Sequence, residues 1–169
     1  ACHYAELEGR AWLRKLRKLV CLGSPHHGAV LERGGNWVDA LLGVSRYSAP
    51  FARLGKIRSA GVTDMRFGCV LDEDWQGHDR FAFRTDPRGA LSLPDGVECY
   101  AMAATTAPGP GPSLPGDGLV SVDSALGRHR RPDRTLSFPE SHKRILFAMG
   151  HLDLLSRPEA YDALRAWLQ

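Results

Sequence analysis

The chain is poor in cysteine: Cys2, Cys21, Cys69 and Cys99 are scattered through 169 residues, with no C-x-x-C pair and no histidine at zinc-finger spacing. That excludes a small fold framed by disulfides and a structural zinc site of the usual pattern, and leaves buried free thiols as the expected state. No apolar run reaches the roughly 20 residues that span a bilayer, and no basic-then-apolar leader opens the chain. Because the chain reads as lacking its beginning, the missing leader says nothing of secretion; the compartment stays open, with the cytoplasm as the default expectation. Excess charge of one sign is also lacking, since 22 Lys and Arg face 19 Asp and Glu for a net charge of +3. So slight a balance marks no nucleic-acid partner, and the clusters Arg14-Lys15-Leu16-Arg17-Lys18 and Arg128-His129-Arg130-Arg131 read as solvated surface. The absence with the largest chemical consequence is that of G-x-S-x-G, the strand-to-helix turn that lifts a reactive serine above a parallel sheet.

With 43% hydrophobic residues and 24% charged, the chain can bury the core of one modest domain, and no internal repeat divides it. Trp12, Leu13, Leu16, Leu19 and Val20 recur at helical spacing between basic residues, which favours an amphipathic helix over 12–20. An apolar run of four, Leu19-Val20-Cys21-Leu22, ending in Gly23-Ser24-Pro25 equally suits a buried parallel strand. Over 34–93, Trp37, Val38, Leu41, Leu42, Phe51, Leu54 and Ile57 predict short helices broken by Pro50 and Gly55, with a polar excursion at 72–95.

Val97–Ala103 is the next expected core strand, followed by Ala107-Pro108-Gly109-Pro110-Gly111-Pro112, which cannot pair in a sheet. That loop leads to Gly116-Asp117-Gly118-Leu119-Val120. The last expected strand, Arg144–Met149, runs into Gly150-His151-Leu152-Asp153. At the C-terminus, Ser156 and Glu159 form a capping-box pattern with Pro158 in the first turn, and Ala160, Ala163, Leu164, Trp167 and Leu168 make one apolar face. Ligands of open parallel sheets bind beyond the carboxyl ends of the strands, so Asp117 and His151 both stand where chemistry is expected.

Three motifs in order, Leu22-Gly23-Ser24-Pro25-His26-His27-Gly28-Ala29, then Gly116-Asp117-Gly118-Leu119-Val120, then Met149-Gly150-His151-Leu152-Asp153, resemble the α/β-hydrolase lipases and esterases. Within that family the likeness is to bacterial triacylglycerol lipases and to the branch that deacylates glycosylphosphatidylinositol-type lipids, and it covers nearly the whole chain. The resemblance implies an α/β fold: the C-terminal half of a hydrolase, with parallel strands, flanking helices and a cap-like helical insertion over about 34–93. It makes 1–169 a single partial domain, turns Leu19–Leu22 into a strand, and makes Ala1–Leu7 the remnant of the helix that follows the nucleophile turn.

It further implies the roles. Acyl transfer needs a nucleophile activated by a base whose tautomer is held by a carboxylate. Asp117 is the expected acid and His151 the expected base, with Asp123 and His142 as rivals, and the serine lies upstream of Ala1. Ser24 is a poor substitute nucleophile, since Pro25 follows it and no elbow glycine does. His26 and His27 point apart as neighbours, have no carboxylate at metal-binding spacing, and are expected to shape the floor of the site. Asp153 has two readings, a ligand of a structural calcium as in some related lipases or a local turn-former; no other metal and no cofactor is expected.

The expected partners are an ester or lipid substrate, the missing N-terminal half or a partner chain, and a transient lipid surface. Two other classes of function remain. One is a non-catalytic module of the same fold, whose severed sheet edge needs a partner. The other is a membrane-touching basic surface at Trp12–Val20, limited by a length of hardly more than two helical turns.

Overall fold

The computed structural model describes residues 1–28, 71–74, 76–77 and 91–169. Most of the expected cap over 34–93 lies outside them. Strands Lys18–Leu22 (β1), Glu98–Ala104 (β2) and Lys143–Leu146 (β3) form a parallel sheet in the order β1-β2-β3. The class is therefore α/β.

Burial of β2 on both faces explains its sequence, because a central parallel strand has no wet side and reads as a continuous apolar run. The two-residue period still sorts its side chains. Cys99, Ala101 and Ala103 join Leu19, Cys21 and Ile145 on one face, under Val120, Val122, Leu126, Leu136 and Phe138. Met102 and Ala104 join Leu22 and Leu146 on the other, under Met149, Leu154, Ala160 and Ala163. Helix Val122–Ala125 (α2) belongs to the first cover and helix Pro158–Leu168 (α3) to the second. Ala101 and Ala103 are wholly buried. Their small side chains let the covering segment approach the strand closely.

Several local expectations change. Leu19–Leu22 lies in a parallel strand, as the resemblance implies, and not in the amphipathic helix that periodicity alone favours over 12–20: a 3-10 turn at Leu13–Lys15 leads into β1, whose pairing with β2 overrides the helical spacing. The third strand stops at Leu146, three residues early, since Ala148 adopts a left-handed φ of 52° and turns the chain away. Ser156 does not cap the last helix. It ends the 3-10 turn His151–Leu155, and α3 starts after Arg157, with Pro158 in its first turn and Glu159 paired with Arg157. Leu168 is 60% exposed and leaves the apolar face to Ala160, Ala163, Leu164 and Trp167. The opening residues do form a helix, Cys2–Leu7 (α1). Cys2, Cys21 and Cys99 are free thiols, of which only Cys99 is buried; Cys69 is outside the described residues.

Candidate active site

The acid loop is dictated by its two glycines. The backbone doubles back so that the Asp117 amide donates to the Val120 carbonyl at 3.1 Å, while Asp117 Oδ1 accepts from the amides of Leu119 at 3.0 Å and Val120 at 2.8 Å. A Cβ on Gly116 would stand 1.8 Å from the Val120 carbonyl oxygen, and Gly118 sits at a φ of +98°. Only glycine fits the first position, and the second strongly prefers it.

Buried Thr105 pins the base of the proline-rich excursion. Its Oγ1 donates to the Pro115 carbonyl at 2.6 Å and accepts from the Ala107 amide at 3.2 Å, and the Thr106 amide reaches the Gly116 carbonyl at 3.2 Å. The irregular segment thus leaves and returns at the carboxyl end of β2, and delivers Asp117 there.

The chain leaving β3 is held to the same place. Ala148 and Met149 donate their amides to the carbonyls of Ala107 at 2.7 Å and Thr105 at 2.9 Å, and the His151 amide donates to the Asp117 carbonyl at 3.0 Å. The Gly150 amide donates to Asp153 Oδ2 at 2.7 Å, which fixes the turn that carries the histidine. The side chains then meet: His151 Nδ1 lies 2.7 Å from Asp117 Oδ2, with the aspartate side chain 1% exposed and the histidine 30%. The buried Asp117 side chain thus has a hydrogen-bond partner on each oxygen, which fixes its orientation towards the ring. With its Nδ1 proton directed at that carboxylate, a neutral imidazole carries its lone pair on Nε2, the arrangement of a general base.

A third strand end shapes the site. Gly23, at a φ of +56° just beyond β1, is so close to the ring that a Cβ there would fall 3.0 Å from His151 Cε1, 3.2 Å from Nδ1 and 2.8 Å from Leu154 Cδ1. The sequence does carry a signal for this, a glycine closing an apolar strand, which marks close approach. From Gly23 the chain is stitched to the acid side by Ser124, which sequence reasoning missed. Its buried hydroxyl accepts from the His27 amide at 3.0 Å and donates to the Gly28 carbonyl at 2.9 Å. Ser124→Ala strands both backbone groups, so a loss of about 2–3 kcal/mol in urea denaturation is expected.

Burial, and then the neighbouring His27, hold His26 down at about 4. Above the unfolded histidine value near 6.5 this residue is neutral in both states and pH-insensitive. As pH falls from there towards 4, the unfolded chain takes up a proton that the folded chain refuses, and stability drops by up to about 3 kcal/mol. His26→Gln is expected to flatten that part of the profile, measured as the difference in urea midpoint between neutral and acidic buffer.

The rival residues lie elsewhere. Asp123 has a side chain 74% exposed and 3.8 Å from Arg128. His142 stacks on Tyr100 with ring centroids 4.1 Å apart and places Nδ1 3.1 Å from the Cys99 carbonyl, just before the amino end of β3. Ser24 is half-buried just beyond β1, and burial chiefly raises the pKa of the nearby Cys21 thiol. The rings of His26 and His27 lie against Phe138 and His129 respectively. Asp153 serves its own turn, and among the described residues no cluster of three metal-ligating side chains stands together.

A groove of about 1080 Å³, lined in part by Leu93, Val97, Pro139 and His142, opens near the amino ends of β2 and β3 and contains neither Asp117 nor His151. The paired side chains stand at the opposite, carboxyl ends of the strands, and volume without a reactive constellation performs no chemistry. No family model, no curated protein and no solved structure matches the chain.

Proposed function

We propose that this chain supplies the acid and the base of a serine hydrolase that cleaves carboxylic esters, of the lipase and esterase type, within an α/β-hydrolase fold. The observation that carries the reading is the pair of Asp117 and His151, 2.7 Å apart, brought together by the loops that leave two adjacent parallel strands. The serine and the amides that hold the oxyanion come from polypeptide outside residues 1–169. In the first half-reaction His151 Nε2 takes the hydroxyl proton as the serine oxygen bonds to the acyl carbon. It then returns the proton to the departing alcohol, leaving an acyl-enzyme. In the second half-reaction water replaces the alcohol and the serine is released. Asp117 keeps its charge throughout and stabilises the imidazolium that forms in each half.

The test joins the chain to the residues that precede it in its gene. A fluorophosphonate probe is expected to label that longer protein, with labelling lost in His151→Ala, whereas residues 1–169 alone hydrolyse no short-chain aryl ester. Hydrolysis by residues 1–169 that vanishes in His151→Ala overturns the division of the triad, and a longer protein that never reacts overturns the hydrolase reading.

One observation favours a second reading. Among the described residues β1 pairs only with β2, and every residue of β1 is half-buried. A non-catalytic module that completes its sheet with a partner chain has the same edge. Light scattering separates the two states, because a compact, well-behaved monomer speaks against an edge that needs a partner.

A further inference from the structure

The turn that precedes β1 carries features unused by the proton relay. In the 3-10 turn Leu13–Lys15 the Lys15 amide donates to the Trp12 carbonyl at 2.9 Å and the Leu16 amide to the Leu13 carbonyl at 3.1 Å. Side chains three apart eclipse in such a turn, so Trp12 and Lys15 share one side and Leu13 and Leu16 the other. Burial follows that division: Leu13 and Leu16 are half-buried, while Arg14, Lys15, Arg17 and 46% of Trp12 face solvent.

Of the acids on neighbouring segments, Glu8 pairs with Arg10 at 2.6 Å and Glu98 lies 3.9 Å from Lys18, while Glu6 accepts the Asp95 amide at 2.9 Å. Among the described residues Arg14, Lys15 and Arg17 have no acidic partner. Leu7, 72% exposed at the end of α1, adds apolar surface next to the same turn, to which it is tied by the Arg10 amide on the Ala5 carbonyl and the Leu13 amide on the Arg10 carbonyl.

We propose that Trp12, with Arg14, Lys15 and Arg17, docks the chain on an anionic lipid surface. Three uncompensated cations supply attraction to lipid headgroups. An indole is amphipathic and settles at the headgroup boundary, and an exposed leucine gains from contact with acyl chains but has no face on which a base can stack. The contact is a short anchored turn rather than the amphipathic helix that the spacing of 12–20 favours. Its position has a consequence. The turn enters the amino end of β1, whereas Gly23, Asp117 and His151 stand at the carboxyl ends, roughly 16 Å further on by the rise of a five-residue strand. A chain docked this way holds its proton-relay pair away from the headgroups, so the surface contact recruits the protein without pressing the reactive end into the bilayer.

The test is sedimentation of the purified chain with vesicles of phosphatidylcholine alone or containing about one-third phosphatidylserine. Binding is expected only to the anionic vesicles, falling steeply as salt rises from about 0.05 to about 0.5 M. Neutralising all three cations as Arg14→Gln, Lys15→Gln and Arg17→Gln is expected to weaken it about a hundredfold, roughly fivefold per charge, and Trp12→Ala to weaken it further, with far-ultraviolet circular dichroism unchanged. Equal binding to neutral vesicles, no binding to either, or binding that survives the triple substitution overturns the proposal. Tighter, salt-sensitive binding of a DNA oligonucleotide that the same substitutions abolish also overturns it. None of these outcomes depends on ester hydrolysis.

Discussion

Asp117→Asn is expected to lower turnover of the proposed hydrolase by about four orders of magnitude with KM little changed, the size of effect known for the corresponding change in serine proteases. The reason lies in which atom carries which proton. Asp117 Oδ1 is committed to the amides of Leu119 and Val120, so an asparagine keeps its carbonyl oxygen there and turns its NH2 towards His151. An NH2 facing Nδ1 requires that nitrogen to be the acceptor, which moves the ring proton to Nε2, where a base cannot take another. Because the two loop hydrogen bonds survive, stability is expected to fall by no more than about 1 kcal/mol. A steady-state comparison of kcat and KM with a urea titration of the same variant separates the lost chemistry from lost folding.

Gly116→Ala acts by the opposite route and is expected to destroy the fold of the acid loop. Its new methyl would overlap the Val120 carbonyl at 1.8 Å, a backbone atom with no rotamer to relieve the clash. The Asp117–Val120 turn must open, the buried carboxylate loses its amide donors, and the cost is expected to exceed about 4 kcal/mol. Gly118→Ala serves as the comparison. It has open space around its Cβ position but a φ of +98°, so it is expected to cost only the roughly 1–2 kcal/mol of a side chain held in left-handed backbone. If the two variants unfold at the same urea concentration, the overlap at Gly116 is not what shapes the loop.

Much of the sheet is legible because its signals are short-range. The apolar run of β2, ended by an irregular proline segment, marks a buried strand, and the loop behind it carries an aspartate between two glycines. The order of the three motifs then places Asp117 and His151 at neighbouring strand ends before any geometry is known. What stays hidden is what depends on contacts between distant segments. The left-handed backbone of Ala148 comes from the carbonyls of Thr105 and Ala107 that catch the outgoing chain, and nothing near Ala148 encodes it. Ser124 looks like a helix residue two turns beyond the acid, yet its hydroxyl serves the loop after β1. Ser156 and Glu159 satisfy a capping pattern that Asp153 pre-empts, since its carboxylate has already set the preceding turn on Gly150. The spacing of 12–20 points to a helix because local periodicity ignores the neighbouring strand that pairs with Lys18–Leu22.

The most direct measurement is of the His151 ring in the chain of residues 1–169, by nitrogen–proton correlation spectroscopy at neutral pH. A proton on Nδ1, shifted far downfield by the carboxylate, with an unprotonated Nε2, is the expected pattern, and Asp117→Asn removes the downfield signal. A ring protonated on Nε2, or one averaging freely between its two neutral forms, contradicts a base held ready by Asp117.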